Sequence, residues 1–257
     1  EQEIKINRKK VVDKYLYIQT ILLYNSYMNQ FIIAWEFAYT NWKYFLMLIL
    51  PVVAVESLAA YIFLPLNDLS QAEDFTDFIS DNSITIIVVL VASTVMQISL
   101  IGGLWVSYMA LDSGTQINPI SALQVGLSRF FPLFGANIII GILSLFGFIL
   151  LIIPGIYLTA RFALFGAQIM FEDNKVFESI EASWNKTDKH ATKLFIFTLV
   201  FFSLIFFIAI ALSFTIPPGI FQTLLLALVE YVFVIPLGYI YFTLYKSLGV
   251  SQDQLSK

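Results

Sequence analysis

Long apolar runs alternate with short polar stretches along this chain. Because an α-helix rises about 1.5 Å per residue, roughly 20 apolar residues cover the ~30 Å hydrocarbon core of a bilayer. A shorter apolar run, residues 156–171, carries Arg161. Five runs reach the full length: residues 44–64, 84–111, 133–153, 194–216 and 221–245. The pattern predicts an all-α, polytopic membrane bundle of six transmembrane helices.

Two similar pentapeptides, IIPGI at 152–156 and IPPGI at 216–220, interrupt the apolar runs. Proline lacks an amide donor and glycine readily takes positive φ, so together they end a helix and reverse the chain. We predict hairpin turns at Pro154-Gly155 and at Pro217-Pro218-Gly219. The turn between the first two spans, residues 65–83, is longer and contains acidic residues but no lysine or arginine.

Each pair of spans follows a segment of mixed polarity. These segments are FIIAWEFAYTNWKYF, INPISALQVGLSRFFPLF and NKVFESIEASWNKTDKHATKLF. In the third, Val176, Phe177, Ile180 and Trp184 recur at helical spacing, which is typical of an amphipathic helix at the membrane interface. In the second, Asn118 is expected to cap a helix that begins at Pro119. The chain is therefore predicted to form three hairpins, each preceded by an interfacial helix. The simpler explanation of the same pattern is that any multi-span protein alternates amphipathic loops with spans.

The composition agrees with a membrane location. Of the 257 residues, 59% are hydrophobic and only 12% are charged, and the mean hydropathy is +0.82. Every lysine and arginine except Arg161 falls on one predicted side of the six spans. Because translocated loops are depleted in Lys and Arg, both termini are predicted to be cytoplasmic.

The predicted organisation is a cytoplasmic extension at 1–24, one six-span domain at 25–246 and a cytoplasmic tail at 247–257. The first residues are basic and then apolar, but no small-residue cleavage site follows. We interpret them as cytoplasmic and partly surface-bound. A transmembrane helix over residues 15–35 is the alternative interpretation.

Two segments carry a family resemblance: IGGLWVSYMALDSGTQINPISALQVGLSRFFPLF, and LLIIPGIYLTARFALFGAQIMFEDNKVFESIEASW with its Pro-Gly turn, following span and ESIEASW helix. They resemble the YciC-like family, an uncharacterised family of bacterial inner-membrane proteins, over residues 25–246. The resemblance implies a multi-span helical fold in the bacterial inner membrane. It implies no catalytic residues.

Ionisable residues within spans are costly and usually face a partner or water. Three occur here: Glu56 in the first span, Arg161 in the fourth and Glu230 in the sixth. Arg161 is predicted to pair with Glu230 or Glu56 inside the bundle. The alternatives are that Arg161 reaches outward to lipid phosphates, or that the three residues form a site for an ion, a proton or a lipid headgroup.

Small and polar residues suggest where helices meet. Gly102, Gly103, Gly126, Gly135, Gly141 and Gly147 are expected to allow close packing, as small residues do in membranes. Ser93, Thr94, Gln97 and Ser99 give the second span a polar stripe. We expect this stripe to bond to neighbouring helices, or else to line a narrow cavity.

The residue content limits the chemistry. Cysteine is absent and His190 is the single histidine, which excludes thiolate and His-cluster metal sites. No nucleophile–base pair, P-loop or dinucleotide fingerprint is present, and no cofactor or nucleic-acid partner is predicted. We expect a non-enzymatic protein that organises the envelope or binds lipid or a membrane-protein partner. The alternative is a transporter or lipid-translocating protein with its site around Arg161, Glu230 and Glu56.

Overall fold

A computed structural model describes residues 26–68 and 72–249, which are helical throughout apart from short turns and contain no strand. The helices are α1 (26–40), α2 (Trp42–Phe63), α3 (Ala72–Asp81), α4 (Ser83–Asp112), α5 (Pro119–Ser128), α6 (Phe130–Leu150), α7 (Ile152–Arg161), α8 (Phe165–Glu172), α9 (Val176–Thr187), α10 (Ala191–Thr215) and α11 (Ile220–Ser247). The all-α prediction is confirmed.

Six helical segments are long and apolar enough to cross a membrane, as the sequence predicts. Five of these segments consist mainly of one helix each, namely α2, α4, α6, α10 and α11. The remaining one, Ile152–Glu172, consists of α7 and α8, separated by a turn at residues 162–164. The fourth apolar segment is therefore a broken helix and not a continuous one.

Consecutive apolar helices pack against each other, and the last packs against the first. The contacts run from α2 to α4, α6, α7, α10, α11 and back to α2. Helix α4 also contacts α8 and α11. Its buried residues are concentrated between Ile98 and Tyr108, so that half of α4 lies at the centre of the bundle.

Glycines let α5 cross α4 with the two backbones in contact. A Cβ on Gly126 would lie 2.1 Å from the carbonyl oxygen of Ser99, and one on Gly102 would lie 2.6 Å from the Cα of Gly126. Asn118 caps α5 by accepting a hydrogen bond from the N–H of Ile120, as predicted. By contrast, nothing lies within 4 Å of the Cβ position of Gly141.

The chain reversal predicted at Pro154 and Gly155 occurs instead at Leu151. Leu151 alone has extended backbone angles, and α7 already begins at Ile152, so both residues belong to the first turn of that helix. Proline is tolerated there because the first N–H groups of a helix have no intrahelical acceptor. Gly155 packs against Phe148 of α6 and close to Gly147. Its role is close helix approach and not chain reversal.

The second predicted turn lies where the sequence places it. Helix α10 ends at Thr215 and α11 begins at Ile220, with Pro217, Pro218 and Gly219 between them. The side chain of Gln222 in α11 donates a 2.8 Å hydrogen bond to the carbonyl of Ile216, which satisfies one of the last acceptors of α10.

The first mixed-polarity segment is divided between α1 and α2, which meet at a turn on Asn41. Aromatic contacts hold α1 against the bundle: Tyr27 with Phe197, Phe31 with Phe201, Trp35 with Phe201 and Phe233, and Phe37 with Tyr239 at a ring-centroid distance of 3.7 Å. The alternative span over residues 15–35 begins outside the described residues. Helix α3, within the acidic turn, was not predicted.

Candidate functional site

The two acidic residues predicted within spans line one cavity. It has a volume of about 490 Å³ and lies between α2, α4, α10 and α11. Its lining is formed by Glu56, Ala59, Ala60, Leu90, Ser93, Gln97, Ile205, Ala209, Thr223, Leu226, Ala227, Val229 and Glu230. This lining contains two carboxylates and no basic side chain.

Hydrogen bonds from two other helices fix the carboxylate of Glu56. The Tyr231 hydroxyl of α11 donates to its Oε1 at 2.6 Å, and the Gln97 amide of α4 donates to the same atom at 3.0 Å. The other oxygen, Oε2, receives no hydrogen bond from the described residues. Glu56 is therefore held in place with one oxygen left for a ligand.

Glu230 and Ser93 bring unused polar atoms to the same cavity. The Glu230 carboxylate has no hydrogen bond or ion pair within the described part of the chain. The Ser93 hydroxyl is buried without a hydrogen-bond partner. Because buried polar atoms are normally hydrogen-bonded, the Ser93 hydroxyl suggests that the cavity receives a polar ligand. The Glu230 side chain is itself exposed and so contributes an accessible negative charge.

The polar stripe predicted on the second span serves both expected purposes. Gln97 bonds across to Glu56 and also lines the cavity, as does Ser93. Thr94 and Ser99 instead donate to carbonyls of their own helix, those of Leu90 and Val95. The sequence could identify the stripe but not which of its members face the cavity.

Arg161 does not reach either carboxylate, so the predicted pair with Glu230 or Glu56 is wrong. Its guanidinium donates to Asp188 Oδ1 at 2.9 Å and to the Trp184 carbonyl at 2.6 Å. It also lies 4.1 Å from the centroid of the Trp184 ring, a cation–π distance. The Arg161 side chain is buried, whereas that of Asp188 is 72% exposed. Arg161 thus joins α7 to the end of α9.

Helix α9 also satisfies the backbone at the break between α7 and α8. The Ser183 and Thr187 hydroxyls donate to the Arg161 carbonyl at 3.0 and 2.9 Å. The Leu164 N–H donates back to the Ser183 oxygen at 3.1 Å. Freed backbone groups inside an apolar bundle require such partners. Helix α9 therefore supplies hydrogen bonds to backbone groups at the break.

A sequence signal for this docking exists. Ser179, Ser183 and Thr187 are spaced four residues apart, so they share one face of α9, and all three are fully buried. A buried row of small hydroxyl residues is unusual on a helix whose apolar residues were expected to face the membrane. The amphipathic interpretation of Val176, Phe177, Ile180 and Trp184 did not use this row.

Four ion pairs join helix ends in the described residues. They are Arg129–Asp173, Arg161–Asp188, Lys186–Glu172 and Lys246–Asp112. Glu172 also accepts hydrogen bonds from Gln168 of its own helix and from Tyr245 of α11. These contacts tie α8, α9 and α11 together at one end of the bundle. None of these groups lines the cavity of Glu56 and Glu230.

No protein-family model and no solved structure matches the chain. A UPF0259 membrane protein from Photorhabdus laumondii is 30% identical over 93 residues, which cover 36% of this chain and 36% of that protein. The chain thus matches about a third of the length of this relative. The similarity supports an uncharacterised bacterial membrane-protein family and, with six apolar helices, indicates a multi-pass membrane protein.

Proposed function

We propose that this protein is a non-enzymatic membrane protein that binds a cation, or the cationic group of a small molecule, between Glu56 and Glu230. The observation that carries the proposal is the presence of both carboxylates in one cavity without a basic side chain in its lining. Charge inside a membrane is costly unless it is paired. A bound cation would relieve the repulsion between the two carboxylates.

Transport of that cation is the role we favour. The cavity volume of about 490 Å³ falls within the range of small-molecule sites, roughly 300 to 1,000 Å³. Pro51 lies inside α2, the helix of Glu56, and Pro236 lies inside α11, the helix of Glu230. A proline within a helix removes a backbone hydrogen bond and favours bending. Bending of these two helices would change access to the cavity, as transport requires.

A lipid-binding role is the second candidate. An apolar cavity of about 270 Å³ lies between α1, α2 and α11, lined by Trp35, Ala38, Tyr39, Trp42, Phe45, Leu46, Ile49, Leu228, Val232 and Ile235. Such a lining suits an acyl chain. This role continues the expectation that the protein organises the envelope or binds lipid or a membrane-protein partner.

We also propose that the protein lies in the bacterial inner membrane, with three hairpins, interfacial helices and both termini in the cytoplasm. The confinement of Lys and Arg to one predicted side supports this orientation.

Cation binding can be measured on the purified full chain in detergent by thermal unfolding. Sodium, potassium and tetramethylammonium chlorides are titrated against the wild type and the double variant Glu56→Gln/Glu230→Gln. A ligand at 100 times its Kd stabilises by about 2.7 kcal/mol, and each kcal/mol raises Tm by roughly 2–4 °C at this size. We expect at least one cation to raise the Tm of the wild type and not of the double variant.

Glu36→Gln is the matched control, because Glu36 is an exposed helical carboxylate on α1 that does not line the cavity. It should respond to each cation like the wild type. Equal responses of all three proteins would refute the proposal. Uptake of the stabilising cation into proteoliposomes then separates transport from binding alone.

A further inference from the structure

A second polar cavity lies at the opposite end of α11 from the Pro-Pro-Gly turn. It has a volume of about 130 Å³ and is formed by α1, the start of α10 and the end of α11. Its polar lining is Gln30, His190, Lys193, Thr243 and Ser247, and its apolar lining is Leu194, Phe197, Ile240 and Leu244. No carboxylate belongs to this lining. Its composition is therefore opposite to that of the Glu56–Glu230 cavity.

Lys193 supplies a positive charge that no carboxylate balances in the described residues. Arg129, Arg161, Lys186 and Lys246 each have an acidic partner. The Lys193 ammonium instead lies 5.5 Å from the centroid of the Tyr27 ring. A ring face attracts a cation, but it does not satisfy the three N–H donors of the ammonium group. Lys193 can therefore donate to a ligand in the cavity.

Two further side chains can donate beside Lys193. The Gln30 amide and the His190 ring make no hydrogen bond within the described part of the chain. The Thr243 and Ser247 hydroxyls donate to the carbonyls of Ile240 and Leu244. The free donors thus come from three places, α1, the turn before α10 and α10 itself, and they converge on one small space.

The size and position of this cavity favour a phosphate group. A volume of about 130 Å³ lies well below the roughly 300 to 1,000 Å³ of sites for drug-sized molecules, so it suits a small tetrahedral anion and excludes a whole lipid. Its residues lie at the ends of α10 and α11 that are predicted to be cytoplasmic. The cytoplasmic leaflet presents anionic headgroups at that level.

We propose that Lys193, His190 and Gln30 form a binding site for a phosphate group, either the headgroup of an anionic phospholipid or free phosphate. The lysine pairs with the phosphate charge, while the imidazole and amide fix its oxygens by hydrogen bonds. The acyl chains of a lipid would remain outside, along the apolar surfaces of α1 and α11.

Native mass spectrometry of the full chain in detergent tests the proposal. Phosphatidylglycerol and phosphatidylcholine are added at equal concentration, and inorganic phosphate is titrated separately with thermal unfolding as the readout. We expect phosphatidylglycerol to bind with preference over phosphatidylcholine, and Lys193→Gln to weaken that binding about tenfold, as for loss of one charge-assisted hydrogen bond. Stabilisation by inorganic phosphate alone, lost in Lys193→Gln, identifies free phosphate as the source.

Two further variants keep the test decisive. Lys189→Gln removes the same charge from the adjacent turn, outside the cavity lining, and should leave the preference unchanged. Ser247→Trp keeps every charge but fills the cavity from the exposed end of α11, so it should weaken binding like Lys193→Gln, which also covers the case in which Lys193→Gln does not fold. Equal losses for Lys193→Gln and Lys189→Gln, or no loss for Lys193→Gln and Ser247→Trp, would overturn the site.

Discussion

Tyr231 of α11 donates a 2.6 Å hydrogen bond to Oε1 of Glu56 in α2, and so joins two helices at the cavity that contains Glu230. Replacing Tyr231 with Phe removes this donor and leaves Gln97 as the remaining one. Interhelical hydrogen bonds in membranes contribute about 0.6–2 kcal/mol. We expect Tyr231→Phe to lower the free energy of unfolding by about that amount and to weaken cation-induced stabilisation.

Tyr241→Phe is the matched control for this prediction. It removes a hydrogen bond to Thr198 that joins α10 and α11 away from the cavity. A similar loss of stability with an unchanged cation response is expected. If both variants lose the response equally, Tyr231 has no special role in holding Glu56.

The partner of Arg161 can be identified by double-mutant cycles. We expect Arg161→Gln and Asp188→Asn to couple in unfolding free energy by about 1 kcal/mol, because their side chains share a hydrogen bond. Arg161→Gln and Glu230→Gln should be additive within roughly 0.5 kcal/mol, since the two residues share no contact. Coupling with Glu230 instead of Asp188 would contradict the observed arrangement.

The hydroxyl of Ser183 should stabilise the fold through its hydrogen bonds at the break between α7 and α8. Ser183→Ala leaves the Leu164 N–H without its acceptor and removes one donor from the Arg161 carbonyl. An unsatisfied buried polar group costs about 1–3 kcal/mol. Ser179 shares the same face but bonds only within α9, to the Val176 carbonyl, so Ser179→Ala should cost less. Chemical or thermal unfolding in detergent compares the two variants.

Substitution of Gly126 tests the crossing of α4 and α5. A methyl group there would lie 2.1 Å from the Ser99 carbonyl oxygen. Because this oxygen belongs to the backbone and cannot rotate away, the two helices must separate. We expect Gly126→Ala to be strongly destabilising, by about 3 kcal/mol or more, in line with severe overpacking. Gly141→Ala, where the space is open, should instead stabilise α6 by about 0.5–1 kcal/mol. Expression level and Tm provide the measurement.

The orientation in the membrane can be tested by cysteine labelling, because the natural chain contains no cysteine. Gly219→Cys in the turn before α11 should react with an impermeant maleimide added outside the cell. Lys189→Cys should react only after the membrane is permeabilised. Reaction of both from the same side would contradict the six-span arrangement.

Local features of the sequence were sufficient to predict the six apolar helical segments. Apolar length predicts six spans, because backbone groups in lipid must be satisfied within a helix whatever its neighbours are. The start of α5 at Asn118 and Pro119, and the turn at residues 217–219, follow equally from local cap and turn chemistry. The resemblance to a family of membrane proteins pointed to the same class of fold.

Local sequence does not fix where the chain reverses between α6 and α7. A proline followed by a glycine is compatible with a reverse turn and equally with the first residues of a helix. Only packing decides between them. Gly155 lies against Phe148 and Gly147, and that close approach starts α7 immediately after Leu151. The acidic segment between the first two spans also contains a helix, α3, that its apolar pattern does not predict.

The partners of the charged residues were decided by the tertiary structure alone. Hydropathy indicates that Glu56, Arg161 and Glu230 lie in spans, but not the direction in which each side chain points. The break at residues 162–164 brings Arg161 to Asp188 on α9, whereas the packing of α2 against α11 brings Glu56 to the cavity of Glu230. The sequence by itself determined the six apolar segments, since the hydrogen bonds of a helix are local. The contacts between helices depend on rotations and breaks that only the assembled bundle sets.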